Sequence, residues 1–335
     1  MHSWGFLSSP RSLQFLAMAS AQSTKRSAHA TDFIKAFASL SAKDQLIPVC
    51  NPFPINFNDL DGHIQGIQLY KSGGSDFLYM TRSNSDAAYL IKARLESDTA
   101  TMVAVDTLML APYGHPGGFQ ITEHYLAVGM EDFKARNTSR VKIYDLRKGA
   151  KSWSEPLHVI KRDGKYERVT AGAVGLTRIG RHMLLVVGNW DSRDLDFYIC
   201  QVDKFERGEE GFQLIQEMNM AQQSREGWSD PQWRGYQNIN LFNDGGDNLY
   251  LVGMERGGTD LYRLTVSKGK VSAINPKSRN PFQITKLAST QFKVSGNASF
   301  NAGAGLYRYP GGELVLFVAP DDIEGEAMIS VFKTH

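Results

Sequence analysis

The sequence predicts an all-β chain folded as a five-bladed β-propeller, its ring closed by an N-terminal strand in the last blade. Three observations predict it. From about residue 45 the chain reads as short apolar runs separated by Gly, Asn, Asp and Ser clusters, the mark of strand after strand. Five segments share one form, which is the signature of a repeat architecture. The fifth segment has one strand too few, while a spare strand-like run, Gln45–Cys50, stands before the first.

Each unit opens with a small-residue strand, continues with a strongly apolar strand, and passes through a polar loop to a third strand. The first reads His63-Ile-Gln-Gly-Ile-Gln, Phe77-Leu-Tyr-Met, Ala88-Tyr-Leu-Ile. The second reads His115-Pro-Gly-Gly-Phe-Gln, Tyr125-Leu-Ala-Val-Gly-Met, Val141-Lys-Ile-Tyr. The third starts at Gly172, the fourth at Gly235 and the fifth at Ala302. A fourth, outer strand follows in earlier units, as at Thr101 to Leu108 and Phe212 to Ile215. In a propeller the first strand of each blade lies on the axis, where crowding calls for small residues. Gly66, Gly117, Gly118, Gly172, Gly175, Gly303 and Gly305 occupy those strands. Second strands are continuous apolar runs because neighbouring blades cover both faces. Pairing Gln45–Cys50 with the last blade would close the ring and hide its sheet edges. A six-bladed ring or a pair of two-sheet sandwiches are the alternative arrangements.

Three regions are expected. Residues 1–31 contain no Asp or Glu, seven serines, and Arg11, Lys25 and Arg26, and read as a disordered tail or a targeting segment. Residues 32–44 carry a short helix, with Phe33, Ile34 and Phe37 on one face and Asp32 as its cap. Residues 45–335 form one propeller domain. Net charge is +2, from 37 basic and 35 acidic residues, too balanced for a nucleic-acid partner. No apolar run reaches the ~18–20 residues needed to span a bilayer, so no membrane partner is expected. Cytoplasmic residence is favoured, with export or an organelle as alternatives raised by the acid-free N-terminus. Cys50 and Cys200 are two small apolar residues or a pair; two cysteines do not make a disulfide scaffold.

Antiparallel geometry puts the start of each first strand and the loop after each second strand on one face. His63 and His115 start first strands. Ser83, Asn84, Glu131, Asp132, Trp190, Asp191, Glu255, Arg256, Asp321 and Asp322 lie in loops after second strands. Two imidazoles and several carboxylates then converge on a concave mouth. His63, His115, Glu131, Asp191 and Glu255 are the catalytic candidates, as proton carriers or as acid and base. His63 and His115, with a carboxylate, are also candidate ligands for a divalent metal ion. Trp190, Trp228, Trp233, Arg256 and Asp321 are candidate substrate contacts, the indoles suiting flat apolar or sugar faces; the alternative for Trp228 and Trp233 is that they pack the loop Gln222 to Arg234 onto the fourth unit. Asn137-Thr-Ser and Asn297-Ala-Ser fit the glycosylation sequon, meaningful in a secreted chain. The sequence contains no HExxH, no GxSxG and no phosphate-binding glycine loop with Lys.

The blade pattern resembles the five-bladed propeller superfamily, which includes funnel-site glycosidases, plant-type glutaminyl cyclases, calcium-dependent nucleotidases and sugar-binding lectins. Gln65-Gly66-Ile67 is similar to the Gln-Gly-Leu of the first inner strand of plant-type glutaminyl cyclases, which adds Gln65 to the substrate contacts. Pro116-Gly117-Gly118 departs from that family, where Glu-Gly is expected. The expectation is an enzyme of hydrolase or lyase type acting on a small molecule or carbohydrate in the funnel, by acid–base or metal-assisted chemistry. A non-catalytic module binding a glycan or a protein is the alternative.

Overall fold

The computed structural model describes residues 32–52, 62–149, 151–244, 247–323 and 325–334. The N-terminal segment 1–31, expected to be a tail or a targeting signal, lies outside them. A short helix, α1 (Asp32–Ala38), comes first. Asp32 is its first residue rather than the residue before it. Phe33 and Phe37 are fully buried, and Phe33 stacks on Tyr250 with ring centroids 4.8 Å apart. The next element, β1 (Gln45–Cys50), is the spare strand of the sequence pattern.

Among the described residues the remaining strands form antiparallel meanders in chain order. The first is β2 (Ile64–Ser72), β3 (Ser75–Arg82), β4 (Ala87–Leu95) and β5 (Ala100–Leu110). The second is β6 (His115–Thr122), β7 (Tyr125–Glu131), β8 (Thr138–Asp145) and β9 (His158–Asp163). The third is β10 (Ala173–Ile179), β11 (His182–Gly188), β12 (Asp194–Gln201) and β13 (Gln213–Asn219). The fourth is β14 (Asn238–Asn243), β15 (Leu249–Glu255), β16 (Gly258–Val266) and β17 (Phe282–Gln291). The fifth is β18 (Ala304–Arg308), β19 (Leu314–Val318) and β20 (Met328–Lys333). It takes β1 as its outer strand, antiparallel to β20 with Gln45 opposite Val331 and Pro48 opposite Met328. Val49 and Cys50 then continue as a parallel pair with Ala100 and Thr101 of β5. The sequence pattern did not anticipate that second pairing, which ties the outer edges of the fifth and first meanders together. The result is an all-β, propeller-like chain.

Apolar side chains fill the space between neighbours. One cluster joins the first and second meanders through Tyr79, Leu90, Phe119 and Val128. Others join the second to the third, the third to the fourth, and the fourth to the fifth, the last with Phe33 and Phe37 of α1. A fifth joins the last meander back to the first through Ile67, Met80, Phe317 and Val331. Strands β7 and β11 are buried at every residue, as sheets covered on both faces require. Cys50 is exposed and Cys200 buried, and both are free thiols. Among the described residues no helix is long and apolar enough to cross a membrane.

The first strands crowd together on the axis. A Cβ on Gly305 would sit 1.8 Å from the carbonyl oxygen of Ile67, and one on Gly117 would sit 2.2 Å from that of Gly172. Glycine there is a packing requirement. Each first strand pairs along its length with the second strand of its meander; at the axis β6 and β10 add one parallel bridge, Gly118 with Ala173, with Gly118 N donating to Gly172 O at 2.8 Å, and the rest of the axial edges need other hydrogen bonds. Side-chain amides supply them. Gln120 Oε1 accepts from the backbone N–H groups of Leu176, at 2.9 Å, and Leu241, at 2.8 Å. Its Nε2 donates to Leu241 O at 2.9 Å. Asn240 Oδ1 accepts from Leu306 N at 2.9 Å and from Gln68 Nε2 at 3.1 Å. Two amides thereby tie all five first strands: Gln120 spans the second, third and fourth, and Asn240 the fourth, fifth and first.

Two predictions follow from this packing. Gly305→Ala forces a methyl group onto Ile67 O and is expected to cost about 3 kcal/mol, since overpacking a close contact costs ~1–3 kcal/mol or more; urea unfolding reads it, and an unchanged midpoint contradicts the close approach. Burial holds the imidazoles of His63, His124, His158 and His182 below the ordinary value. The unfolded chain therefore takes up more protons than the folded one once pH falls below about 6.5, so the stability these groups carry is present above that pH and lost as pH falls toward their folded values. Glu255, raised by burial, works in the opposite sense as a single group. The melting temperature is expected to fall steadily from about pH 6.5 to pH 5; a flat or rising profile contradicts neutral burial.

Candidate functional site

The mouth at the start of the first strands is built by register. His115 lies opposite Glu131 across β6 and β7. Ile64 lies opposite Arg82 across β2 and β3, and Asn238 opposite Met254 across β14 and β15. The pairing of β2 slips between Ile64 and Gly66, which leaves Gln65 as an extra residue. Such a bulge re-aims a side chain, and here it sends the Gln65 amide to the axis.

The Gln65 amide is the junction of the site. Its Nε2 lies 3.0 Å from His63 Nε2 and 3.1 Å from His115 Nε2. It also lies 3.2 Å from Ser83 Oγ. Its Oε1 accepts from Gln237 Nε2 of the fourth meander. An amide nitrogen only donates, so both imidazoles present a lone pair at Nε2 and carry their proton on Nδ1. The far sides of the rings agree. His63 Nδ1 donates to Ile64 O at 2.8 Å. His115 Nδ1 lies 3.1 Å from Glu131 Oε1. That approach is close but bent, and neither atom has a hydrogen-bond partner among the described residues. Burial holds the His63 imidazole below its ordinary value.

Carboxylates bracket this junction. Glu131 is 1% exposed, and its Oε2 accepts from Ala171 N at 2.8 Å. Glu255 Oε2 accepts from Gln237 N at 3.2 Å. Burial raises the Glu255 carboxyl above its ordinary value, and the nearby charge of Asp191 adds to the shift. A continuous path thus runs from Glu255 through Gln237, Gln65 and His115 to Glu131. Arg82, fully buried, pairs with Asp322 at 2.8 Å and braces the wall beside His63. Trp190 lies near His115, with ring centroids 6.1 Å apart and planes 22° apart. The Arg136 guanidinium lies 3.6 Å from the centre of the Trp190 ring.

The structure brings together His63, His115, Gln65, Glu131 and Trp190, and sets Glu255 at the end of the same path. The carbonyl oxygen of Asp321 accepts from Ile64 N at 2.8 Å, while its carboxylate acts on His63 through its charge. Asp191 and Arg256 stand further out: the Asp191 side chain is 59% exposed and pairs with Arg193, and Arg256 is 81% exposed. Trp228 and Trp233 depart from the expectation of a sugar-facing rim. Their indole N–H groups donate to Ile284 O and Ser192 O, at 3.1 and 3.0 Å. Their rings pack on Tyr262 and Tyr236 and hold the segment 222–234 onto the fourth meander. The metal reading meets a mismatch in the donor set. Among the described residues no three His, Cys, Asp or Glu side chains gather to hold an ion. Glu131 addresses Nδ1 of His115, away from the Nε2 pair, and the Gln65 amide lies between the two lone pairs. These residues do not fit a three-ligand divalent site.

Sequence reasoning missed Gln237 and Asn238. Asn238 is fully buried, and neither end of its amide has a hydrogen-bond partner among the described residues. The signal was present in Gly235-Tyr-Gln-Asn-Ile-Asn, where three amides occupy a strand expected to be small and apolar.

No family model matches this chain, and no curated protein matches it. Its shape has a distant likeness to several solved structures. An α-L-arabinofuranosidase from Podospora anserina, solved with cellotriose, is 12% identical with a TM-score of 0.47, over 89% of this chain and 99% of that one. The GH62 α-L-arabinofuranosidase domain of Coprinopsis cinerea is 10% identical with a TM-score of 0.44, over 88% and 98%. A bifunctional GH43-CE protein of Bacteroides eggerthii is 14% identical with a TM-score of 0.45, over 86% of this chain; the match spans about a third, 34%, of that protein's length. Identities and TM-scores this low assign the chain no activity.

Proposed function

We propose that the five meanders are the blades of one closed ring spanning residues 45–335, and that the mouth holding His63 and His115 is the active site of an enzyme of hydrolase or lyase type. Its ligand is a small, hydroxyl-rich molecule or a carbohydrate, and its chemistry is acid–base. The observation that carries this reading is the Gln65 junction: two imidazoles aim Nε2 at one amide, and one of them has a buried carboxylate behind it.

In this reading a ligand hydroxyl or a water replaces the Gln65 amide at His115 Nε2. The ring accepts its proton there, and Glu131, 3.1 Å from Nδ1, offsets the charge that develops. Glu131 does not itself take the proton. Glu255, held protonated to higher pH by burial, is the group suited to return a proton to a leaving oxygen. The amides of Gln65, Gln237 and Asn238 offer donors and acceptors side by side, which suits hydroxyl groups. Asn238 supports this most directly, because its amide is buried with no partner of its own.

A panel of chromogenic glycosides and oligosaccharides, with binding and turnover read in parallel, tests the reading. Once a substrate is found, His115→Ala is expected to lower kcat by about 100-fold or more, the usual worth of a general base, with KM changing little. Glu131→Gln keeps the shape and removes the charge; it is expected to lower kcat less and to shift the pH–rate profile. Full activity in His63→Ala and His115→Ala together sinks the assignment. Saturable glycan binding without turnover, equal in wild type and Glu131→Gln, would make the mouth a binding module instead.

A further inference from the structure

The opposite end of the same channel carries a second cavity, of about 250 Å³. The far ends of all five first strands line it, from Tyr70 and Lys71 in β2 to Tyr307 and Arg308 in β18. Gln120, whose amide is engaged by Leu176 and Leu241, closes it on the side facing the His63 mouth. The two ends of the channel are therefore separate sites. The volume is below the ~300 Å³ of the smallest drug-sized pockets, so it suits one small molecule rather than a chain of sugar rings.

The lining has a definite chemistry. Arg308 is half-buried, lies 5.6 Å from the centre of the Phe33 ring, and pairs with no carboxylate among the described residues. A guanidinium held by packing and left without a counter-ion is a ready partner for a carboxylate. Lys71, by contrast, is already paired with Asp76 at 2.6 Å. Thr177 is buried, and its hydroxyl has no partner among the described residues. Tyr70 and Tyr307 supply flat apolar walls. Glu123 stands exposed at the rim and forms no ion pair among the described residues, which disfavours a ligand with a second negative charge.

We propose that this cavity binds a small polyhydroxy monocarboxylate, of the sugar-acid class, with its carboxylate on Arg308 and a hydroxyl on Thr177. The site is independent of the activity proposed for the other mouth.

Isothermal titration of the full chain with sodium glucuronate, glucose and inorganic phosphate tests it. Glucuronate is expected to bind saturably, with glucose and phosphate weaker by about tenfold or more. Arg308→Ala is expected to weaken glucuronate by about tenfold or more, while His115→Ala leaves it within about twofold. Thr177→Val, which removes the hydroxyl at nearly constant volume, is expected to weaken it by about threefold, and it decides the matter if Arg308→Ala does not fold. Four results overturn the proposal: no saturable glucuronate binding, phosphate binding as tightly, affinity unmoved by the Arg308 and Thr177 variants, or affinity lost in His115→Ala.

Discussion

An inner strand at the axis of this fold has a paired side and an unpaired side, and satisfying the unpaired side is the constraint on which the rest depends. Among the inner strands the described ladder contact is a single parallel bridge, Gly118 with Ala173. An unpaired buried N–H costs about 1–3 kcal/mol. Carboxamides solve this because each combines two donors with an acceptor. Gln120 serves three strands and Asn240 three, with the fourth strand common to both. The apolar clusters between neighbours set the distance at which these amides reach. Glycine at Gly117 and Gly305 sets it on the axis itself.

The site grows from the same device. Gln65 occupies the axis as Gln120 does, but its amide meets side chains instead of backbone. It turns two imidazoles and a second amide toward one point. A group that in one layer of the channel ties the ring together in another layer presents lone pairs to a ligand. Asn238, adjacent in the chain to Gln237, adds a buried amide with no hydrogen-bond partner among the described residues. The layer formed by Gln120 and Asn240 separates this mouth from the cavity of Arg308. The two ends are therefore chemically different, one rich in imidazoles and carboxylates, the other led by a guanidinium that pairs with no carboxylate among the described residues.

Much of this was legible in the sequence, for reasons that differ by element. The meanders are visible because short apolar runs and turn residues are local signals. The role of Gln45–Cys50 followed from a missing strand, and its pairing with Met328 to Val331 bears that out. Convergence of His63 and His115 followed from their shared place in the repeat. What the sequence concealed is side-chain direction. Trp228 and Trp233 sit in a loop leading to the mouth, yet their rings turn inward, because Tyr236 and Tyr262 leave an aromatic seat and backbone carbonyls to receive the indole N–H groups. Gln65 reaches the axis only through a bulge, and a one-residue slip of register leaves no mark in composition. The parallel contact of Val49 and Cys50 with β5 was equally hidden, since it depends on where the ring closes.

Native-state hydrogen exchange at the backbone amides of Leu176, Leu241 and Leu306 tests the central claim most directly. These N–H groups point to the axis, where only Gln120 and Asn240 receive them. If the carboxamide layer ties the ring, all three exchange as slowly as the amides of the fully buried β11, opening only with the whole fold. Rapid exchange at these positions, with β11 still protected, would mean that the axis is open to water and that the layer does not hold the inner strands together.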